Sequence, residues 1–327
     1  MTYPRRRGLL KLAGAMLLLV GSAVNAADFP SKPIRLIAPF AAGGSTDLLA
    51  RIIAPEMARR LGQNVIVENK LGAGGSIGLG EVAKADPDGH VLGVASPGPM
   101  VVNVTLMDNF PYDPVNDLAA VALIADLPIV LVANPGVAAN DMASLIALDK
   151  ANPGKLFFAS PGTGTTMHLS GELLNVMAGT KLQHVPYKGG SLATTDILSG
   201  NVQLGFLDFP SAGPFIASGK MKALAVGNKR RALSAPNLPT IAESGVPGYE
   251  TSGWFGIVAP GKTPPEVVRR INAVLGEVMA LPDVRSRLNQ IGVEPTMTSP
   301  AEFSQFIKSE IPKWARVIQV SGSKTKR

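Results

Sequence analysis

After Phe29 the sequence alternates short apolar runs rich in Val, Ile and Leu with longer stretches that have the pattern of helices. This alternation predicts an α/β fold in which mostly parallel sheets are flanked by helices. The predicted strands lie in the runs IRLIAPF, NVIVENK, HVLGVAS, AVALIADLPIVLVANPG, KLFFASPG, LQHVPYKG, VQLGFLDF and MKALAVGN. These are too many evenly spaced strands for one small core, so the pattern indicates two domains.

One apolar run, residues 120–134, is longer than the others and is interrupted by Asp126 and Pro128. This predicts a strand that ends one sheet near Leu127 and continues as the first strand of another. Residues 228–254 are rich in Pro, Gly and Ser without a regular period, which predicts a long connection that returns the chain to the first domain. The predicted domains are residues 27–127 together with 251–327, and residues 128–250, joined by a hinge of two segments.

Two helix starts near the C-terminus have the spacing of a capping box. The segments TPPE (263–266) and SPAE (299–302) each place a hydroxyl residue at the N-cap, proline at the first helical position and glutamate at the third. We therefore predict helices that begin at these two segments.

The first 26 residues have the features of a secretory signal peptide. Arg5, Arg6, Arg7 and Lys11 precede an apolar run that ends in small residues at Ala26. A transmembrane anchor is the alternative, but the run is shorter than the ~18 apolar residues that a span needs. RRRGLLK also resembles a twin-arginine export signal, so the export route stays open. The expected location is the periplasm.

The charge and the cysteine content narrow the classes of partner. The chain has a formal net charge of +7, but the signal peptide and the tail KTKR carry all of this excess, and the rest of the chain has as many acidic as basic residues. No basic surface that would bind nucleic acid or anionic lipid is therefore expected. The sequence has no cysteine, which excludes disulfides and a lipid-carrying cysteine.

Four loops that follow predicted strands contain the candidate binding residues, because ligands of open α/β sheets bind beyond the carboxyl ends of strands. PFAAGGSTD and SPGTGTTMH combine glycines with hydroxyl residues at predicted helix starts, and VPYKGG and GFLDF add a tyrosine, a lysine and an aspartate. Such loops form an uncharged clamp for a carboxylate. The candidate residues are Phe40, Ala41, Ala42, Gly43, Gly44, Ser45, Thr46, Asp47, Ser160, Gly162, Thr163, Gly164, Thr165, Thr166, His168, Tyr187, Lys188 and Asp208.

Simpler structural roles compete with binding at several of these positions. Glycines between a strand and a helix are often turn residues only, and His168 is better explained as a packing or capping residue than as a metal ligand. Asp208 has an equal claim as a helix cap, and Lys188 as a solvated side chain. The histidines lack partners at metal-ligand spacing, so we expect neither a metal nor another cofactor.

Two motifs suggest enzymes but lack the required context. GGSIG (74–78) fits the nucleophile-elbow pattern around Ser76, yet a loose loop separates it from the preceding strand. GAGGSIG approximates a dinucleotide fingerprint, but the spacing is wrong and Asp86 and Asp88 lie in a turn. We expect no enzymatic activity.

The segments PFAAGGSTDLLAR, ENKLGAGGSIG, ADPDGHVL, SPGTGTTMHLSGEL, HVPYKGG, LPTIAESGVPGYE and WFGIVAPGKTP occur in order along the chain. Together they resemble the extracytoplasmic solute receptors of tripartite tricarboxylate transporters, the Bug family. The resemblance implies a two-domain, type II-like periplasmic binding protein that closes on a small carboxylated solute and delivers it to a membrane permease. It further implies that backbone amides, hydroxyls and ordered water from residues 40–47 and 160–168 hold the carboxylate.

Two other functions remain open at this point. A ligand-sensing partner of a membrane receptor would share the fold and the site, and an exported serine hydrolase would use Ser76 or Ser160. We expect a monomer that is not itself inserted in a membrane. The sequence does not name the solute, and aromatic acids, amino acids and di- or tricarboxylates all remain open.

Overall fold

The computed structural model describes residues 29–322, so the predicted signal peptide and the basic residues of the tail lie outside the described residues. The strands are β1 Ile34–Ala38, β2 Val65–Asn69, β3 Val91–Ala95, β4 Leu118–Leu127, β5 Ile129–Ala133, β6 Phe157–Ser160, β7 Gln183–Pro186, β8 Leu204–Asp208, β9 Lys222–Val226, β10 Gly253–Pro260 and β11 Glu294–Pro295. The α-helices are α1 Ser45–Leu61, α2 Ser76–Lys84, α3 Asn103–Leu106, α4 Met142–Ala151, α5 Thr166–Ala178, α6 Gly190–Leu198, α7 Phe209–Ala217, α8 Pro265–Ala280, α9 Pro282–Gln290 and α10 Pro300–Ser321.

These strands form two sheets, in the orders β11-β4-β10-β3-β1-β2 and β7-β6-β8-β5-β9. Every predicted run contains a strand, and the long run contains two, β4 and β5, which are separated by Pro128 and belong to different sheets. The chain returns to the six-stranded sheet through residues 227–252, where no helix or strand is assigned. Two segments therefore connect the sheets.

The prediction of mostly parallel sheets is confirmed in that most strands of each sheet share one direction, but both sheets are mixed. In the six-stranded sheet β10 runs antiparallel to β3 and β4, and in the five-stranded sheet β5 runs antiparallel to β8 and β9. The other strands, apart from the two-residue β11, share one direction within each sheet. The chain crosses from one sheet to the other twice, and β5 and β10 are the first strands after these crossings. They therefore run away from the boundary between the two sheets, whereas their neighbours run toward it.

Helices cover both faces of each sheet. Successive residues of β1 illustrate this, since Leu36 packs in the apolar cluster with α1 and α8, whereas Ile37 packs in the cluster with α2 and α10. In the other sheet Leu131 and Val132 also belong to different clusters. Strands that are buried on both faces read as continuous apolar runs, which explains why they are recognisable in the sequence.

The two predicted capping boxes have different outcomes. Ser299 caps α10 as predicted, with its hydroxyl accepting from the amide of Glu302 while the Glu302 carboxylate accepts from the amide of Ser299. The prediction for Thr263 is wrong, because α8 begins one residue later and Pro264 occupies the N-cap position. In the described part of the chain no helix is both long and apolar enough to cross a membrane.

Candidate ligand-binding site

A cavity of about 470 Å³, counting the part that opens to solvent, lies between the two sheets. It is bordered by the carboxyl ends of β1, β3, β4, β6 and β8 and by the start of β10. Because β10 is antiparallel to its neighbours, its first residues reach the same edge as their last residues. The lining residues are Phe40, Gly44, Ser45, Thr46, Ser96, Pro97, Gly98, Leu127, Pro161, Thr165, Thr166, Met167, Gly190, Asp208, Gly253, Trp254 and Phe255.

Four of the described helices begin at this cavity. The N-cap residues Gly44 of α1, Thr165 of α5 and Asp208 of α7 line it, as does Gly190, the first residue of α6. The first amides of a helix have no partner within the helix and carry its positive dipole end. Helices α1 and α6 also lack a capping side chain, which leaves their first amides available to an anion.

Two buried polar atoms that border the cavity have no hydrogen-bond partner in the described residues. They are Oγ1 of Thr46, which is 2% exposed, and Nε1 of Trp254, which is 1% exposed. Buried polar groups are usually paired, since an unpaired one costs about 1–3 kcal/mol. Both atoms can donate a hydrogen bond, so they add to the donors that the helix N-termini supply.

Ser45 and Asp208 meet across the cavity. The Ser45 hydroxyl donates a hydrogen bond of 2.6 Å to Oδ2 of Asp208, and Oδ1 of Asp208 accepts from the amide of Ser211 at 3.0 Å. Asp208 therefore caps α7 and also borders the cavity, which combines the two roles that the sequence left open. Burial raises the pKa of the Asp208 carboxyl above its ordinary range.

The loop at residues 40–47 brings only part of its length to the cavity. Phe40, Gly44, Ser45 and Thr46 line it, whereas Asp47 turns back to accept hydrogen bonds from the amide of Gly43 and from the guanidinium of Arg51. The positive φ of 74° belongs to Gly43, which forms the turn, and Gly44 has an ordinary φ of −81°.

The second loop has a buried histidine pair behind it. The rings of His168 and His184 lie against each other, tilted by 36° with centroids 4.2 Å apart, and Nε2 of His184 is 2.7 Å from the hydroxyl of Ser160. Burial lowers the pKa of His168 to about 4 and is the larger cause of a pKa of about 3 for His184. Both rings are therefore neutral near neutral pH. These residues support the loop from behind and do not line the cavity.

The candidate hydrolase nucleophiles are both buried away from the cavity lining. Ser160 is 0% exposed, and Ser76, which is 1% exposed, accepts a hydrogen bond from Nδ2 of Asn103 at 2.8 Å. Ser160 does contact a histidine, but no carboxylate among the described residues is bonded to that His184 ring. The described part of the chain also contains no cluster of His, Asp and Glu side chains suited to a metal ion.

The structure divides the predicted site residues into two groups. Phe40, Gly44, Ser45, Thr46, Thr165, Thr166 and Asp208 line the cavity, whereas Ala41, Ala42, Gly43, Asp47, Ser160, Gly162, Thr163, Gly164, His168, Tyr187 and Lys188 do not. Lys188 is exposed, and the Tyr187 hydroxyl donates to Asp196 at 2.6 Å. Burial, with Asp196 as a smaller cause, raises the pKa of Tyr187 to about 12.

Sequence reasoning missed two parts of the cavity wall. Ser96, Pro97 and Gly98 follow β3, and a search of every loop after a predicted strand would have included them. Trp254 and Phe255 lie at the start of β10, in a segment that was not predicted as a strand. Their signal in the sequence is the run WFGIVA, whose direction within the sheet the pattern does not reveal.

The sequence matches the family described as tripartite tricarboxylate transporter family receptor over residues 49–323. The chain belongs to this family. This receptor is 36% identical over 321 residues to the protein BugT of Bordetella pertussis. The aligned residues make up 97% of this chain and 98% of BugT. The Bug-family resemblance that the sequence motifs indicated is thereby confirmed.

Solved structures of similar proteins have the same fold as this receptor. An R. palustris protein solved with adipate is 34% identical to this chain and has a TM-score of 0.87. The match covers 90% of this chain and 99% of the R. palustris chain. MatC from Rhodopseudomonas palustris, solved with bound malate, is 33% identical to this chain and has a TM-score of 0.85. The match covers 89% of this chain and 100% of the MatC chain. The predicted α/β fold of a periplasmic binding protein is thus confirmed.

Proposed function

We propose that this receptor binds a small carboxylated solute in the cavity between its two sheets and delivers it to a membrane permease of the tripartite tricarboxylate type. The observation that carries the proposal is the set of hydrogen-bond donors around the cavity. Helix N-termini from both sheets meet there, together with the unpaired donors of Thr46 and Trp254. Relatives solved with adipate and malate support a carboxylate as the ligand.

A neutral set of donors is sufficient to hold an anion. Hydrogen bonds to a charged group contribute roughly 1.5–3 kcal/mol each, and amides that are already fixed at helix starts lose little freedom on binding. Three or four such bonds contribute roughly 4.5–12 kcal/mol, and association costs about 4 kcal/mol or more, so micromolar binding needs bonds at the strong end of this range. No cationic side chain lines the cavity among the described residues, so the amides, the hydroxyls and the Trp254 indole are the groups proposed to contact the carboxylate.

The proposal includes a division into two closing domains. Residues 27–127 with 251–327 form the first domain and residues 128–250 the second, in keeping with the sheet to which each strand belongs. Because each domain contributes only part of the donor set, a bound solute interacts better with the closed arrangement, and closure follows from that difference. We further propose export to the periplasm after removal of residues 1–26, and function as a monomer without a cofactor.

A thermal-shift screen of the purified mature protein against small carboxylic acids tests this function. A solute at 100 times its Kd should stabilise the folded state by ~2.7 kcal/mol, which raises the melting temperature by a few degrees. The methyl ester or amide of the same acid, which lacks the charge, serves as the matched ligand control and should have a much smaller effect. Equal stabilisation by acid and ester, or turnover of the ester, would contradict the proposal.

A further inference from the structure

Most polar groups around the cavity are hydrogen-bond donors, and one is a carboxylate. Helix amides, the indole of Trp254 and the hydroxyls of Thr46, Ser96 and Thr166 can donate hydrogen bonds to a solute. The hydroxyl protons of Ser45 and Thr165 already go to Asp208 and to the carbonyl oxygen of Gly162. The one carboxylate among the described lining residues is Asp208, and none of these lining residues is Lys, Arg or His. The cavity thus places a single acidic side chain in a wall that otherwise suits an anion.

Asp208 has protein partners for only part of its capacity to accept hydrogen bonds. Its two oxygens accept one bond each, from Ser45 at 2.6 Å and from the amide of Ser211 at 3.0 Å. The Ser211 hydroxyl, which has no other partner among the described residues, also stabilises the charged form, and a carboxylate has about four acceptor positions. The side chain is 2% exposed, and in the described part of the chain no Lys or Arg nitrogen lies within 4 Å of it. Buried carboxylates usually have a positive partner or a full set of donors.

A bound carboxylate would share this enclosed space with Asp208. An ionised Asp208 and a bound carboxylate repel each other, and the described lining residues supply no cation between them. A solute that brings its own donor removes the conflict, because an ammonium or hydroxyl group directed at Asp208 fills its free acceptor positions. A solute with carboxylates alone supplies no such donor, so its binding beside Asp208 requires the uptake of a proton.

We propose that Asp208 is a specificity-determining residue that selects carboxylic acids bearing an ammonium or hydroxyl group, as in amino acids and hydroxy acids, over acids that carry carboxylates only. This inference rests on the proposed function and narrows its substrate class. The donors of the helix N-termini hold the solute carboxylate, and Asp208 accepts from the ammonium or hydroxyl group.

Matched acids that differ in one substituent test this selection. The probes are propionate, lactate and alanine; succinate, malate and aspartate; and glutarate, hydroxyglutarate and glutamate, each titrated by calorimetry into the mature protein. Within the series that binds, the member with the hydroxyl or ammonium group should bind about 10- to 100-fold more tightly than the unsubstituted acid. The two substituted members distinguish a hydroxy acid from an amino acid as the preferred solute.

Asp208→Asn is the informative variant. Asparagine is also a good N-cap, so the start of α7 is preserved while the negative charge is removed. The preference for the substituted acid should fall to within about threefold, because a neutral side-chain amide accepts less strongly than a carboxylate and can donate to a second carboxylate. The control is Asp141→Asn, the same change at the exposed N-cap of α4, which should leave the preference unchanged.

The outcomes separate this inference from the proposed function. Equal or tighter binding of the unsubstituted acids by the unaltered protein, or an unchanged preference in Asp208→Asn, would overturn the role of Asp208 and leave a carboxylate receptor in place. Binding of adipate or benzoate without binding of any substituted acid would have the same meaning. If no acid binds, both the inference and the proposed function are wrong.

Discussion

Gly98, which follows β3, lies directly against the backbone of Gly164 in the loop that follows β6 of the other sheet. A methyl group on Gly98 would lie 2.9 Å from the carbonyl oxygen of Gly164 and 2.9 Å from that of Gly74. Gly98 has no positive φ, so alanine fits its backbone conformation and only the space is lacking. The close approach of the two sheets at this point therefore depends on the absence of a side chain.

We predict that Gly98→Ala hinders closure of the two proposed domains. The overlap with the carbonyl oxygen of Gly164, in the other proposed domain, should cost the closed state about 1–3 kcal/mol, which weakens solute binding by roughly one to two decades. The overlap with Gly74, in the same domain as Gly98, is present in both states. Small-angle scattering should show less contraction at saturating solute than in the unaltered protein. The control is Gly276→Ala in α8, where the nearest atom to the new methyl group is Met297 Cε at 3.9 Å. Normal contraction in Gly98→Ala would contradict this role.

Thr46→Val should weaken solute binding without lowering stability. The Thr46 hydroxyl is buried at the cavity and has no partner in the described residues, so its removal leaves no protein group unsatisfied. Loss of one hydrogen bond to an anion should cost ~1–3 kcal/mol of binding, whereas the melting temperature should stay the same or rise. Calorimetry and a melting curve on the same sample check the two effects.

The control for this variant is Thr263→Val. Thr263 also has a buried Oγ1 without a partner in the described residues, but it does not line the cavity. This change should leave solute affinity untouched. Equal affinities of the two variants for the solute would show that the Thr46 hydroxyl does not take part in binding.

Thr165→Val should lower both stability and affinity. The Thr165 hydroxyl caps α5 by accepting from the amide of His168 at 3.3 Å, and it donates to the carbonyl oxygen of Gly162 at 2.7 Å. The hydroxyl proton is therefore already used within the protein. Removal of the hydroxyl should weaken binding indirectly, because it loosens the loop and the start of α5. The expected cost is ~1 kcal/mol of unfolding free energy, measured by denaturant titration, with a smaller loss of affinity than in Thr46→Val. Lys188→Ala, at an exposed position outside the cavity lining, should change neither quantity.

Much of the fold could be predicted because buried strands are local features of the sequence. The runs that contain β1, β5 and β8 are mostly continuous and apolar, and the break at Pro128 marks the change of sheet. Strand direction is not local, since it depends on which end of the sheet the chain enters. The reversal of β5 and β10 was therefore missed.

The candidate site was predicted in part for the same reason. Loops after forward-running strands reach the cavity, so Ser45, Thr46, Thr165 and Asp208 could be found from their positions after strands. Trp254 lies at the start of β10, which runs in the opposite direction, so a search of the loops that follow strands does not find it. Sequence also cannot tell which residues of a loop face inward, as Ser160 shows by turning its hydroxyl toward His184.

The histidine pair behind the second loop should make the protein less stable in acid. Burial holds the pKa of folded His168 at about 4 and that of His184 at about 3, below the ordinary value of 6.5 expected in the unfolded chain. Between these values the unfolded chain binds more protons than the folded protein, so the free energy of unfolding is highest above pH 6.5 and declines as the pH falls toward 4. His168 alone should contribute a decline on the order of 2 to 3 kcal/mol in the free energy of unfolding.

Denaturant titrations at several pH values can compare the unaltered protein with the double variant His168→Asn and His184→Gln, whose amide oxygens can replace the ring nitrogens that contact Gly164 and Ser160. Carboxylates away from the pair titrate alike in both proteins and cancel in the comparison, whereas Glu172, whose Oε1 lies 3.9 Å from Nε2 of His168, contributes to the difference. The difference between the two curves should be constant above pH 6.5 and should change steadily below it; parallel curves down to pH 4 would show that these rings are not held neutral by burial.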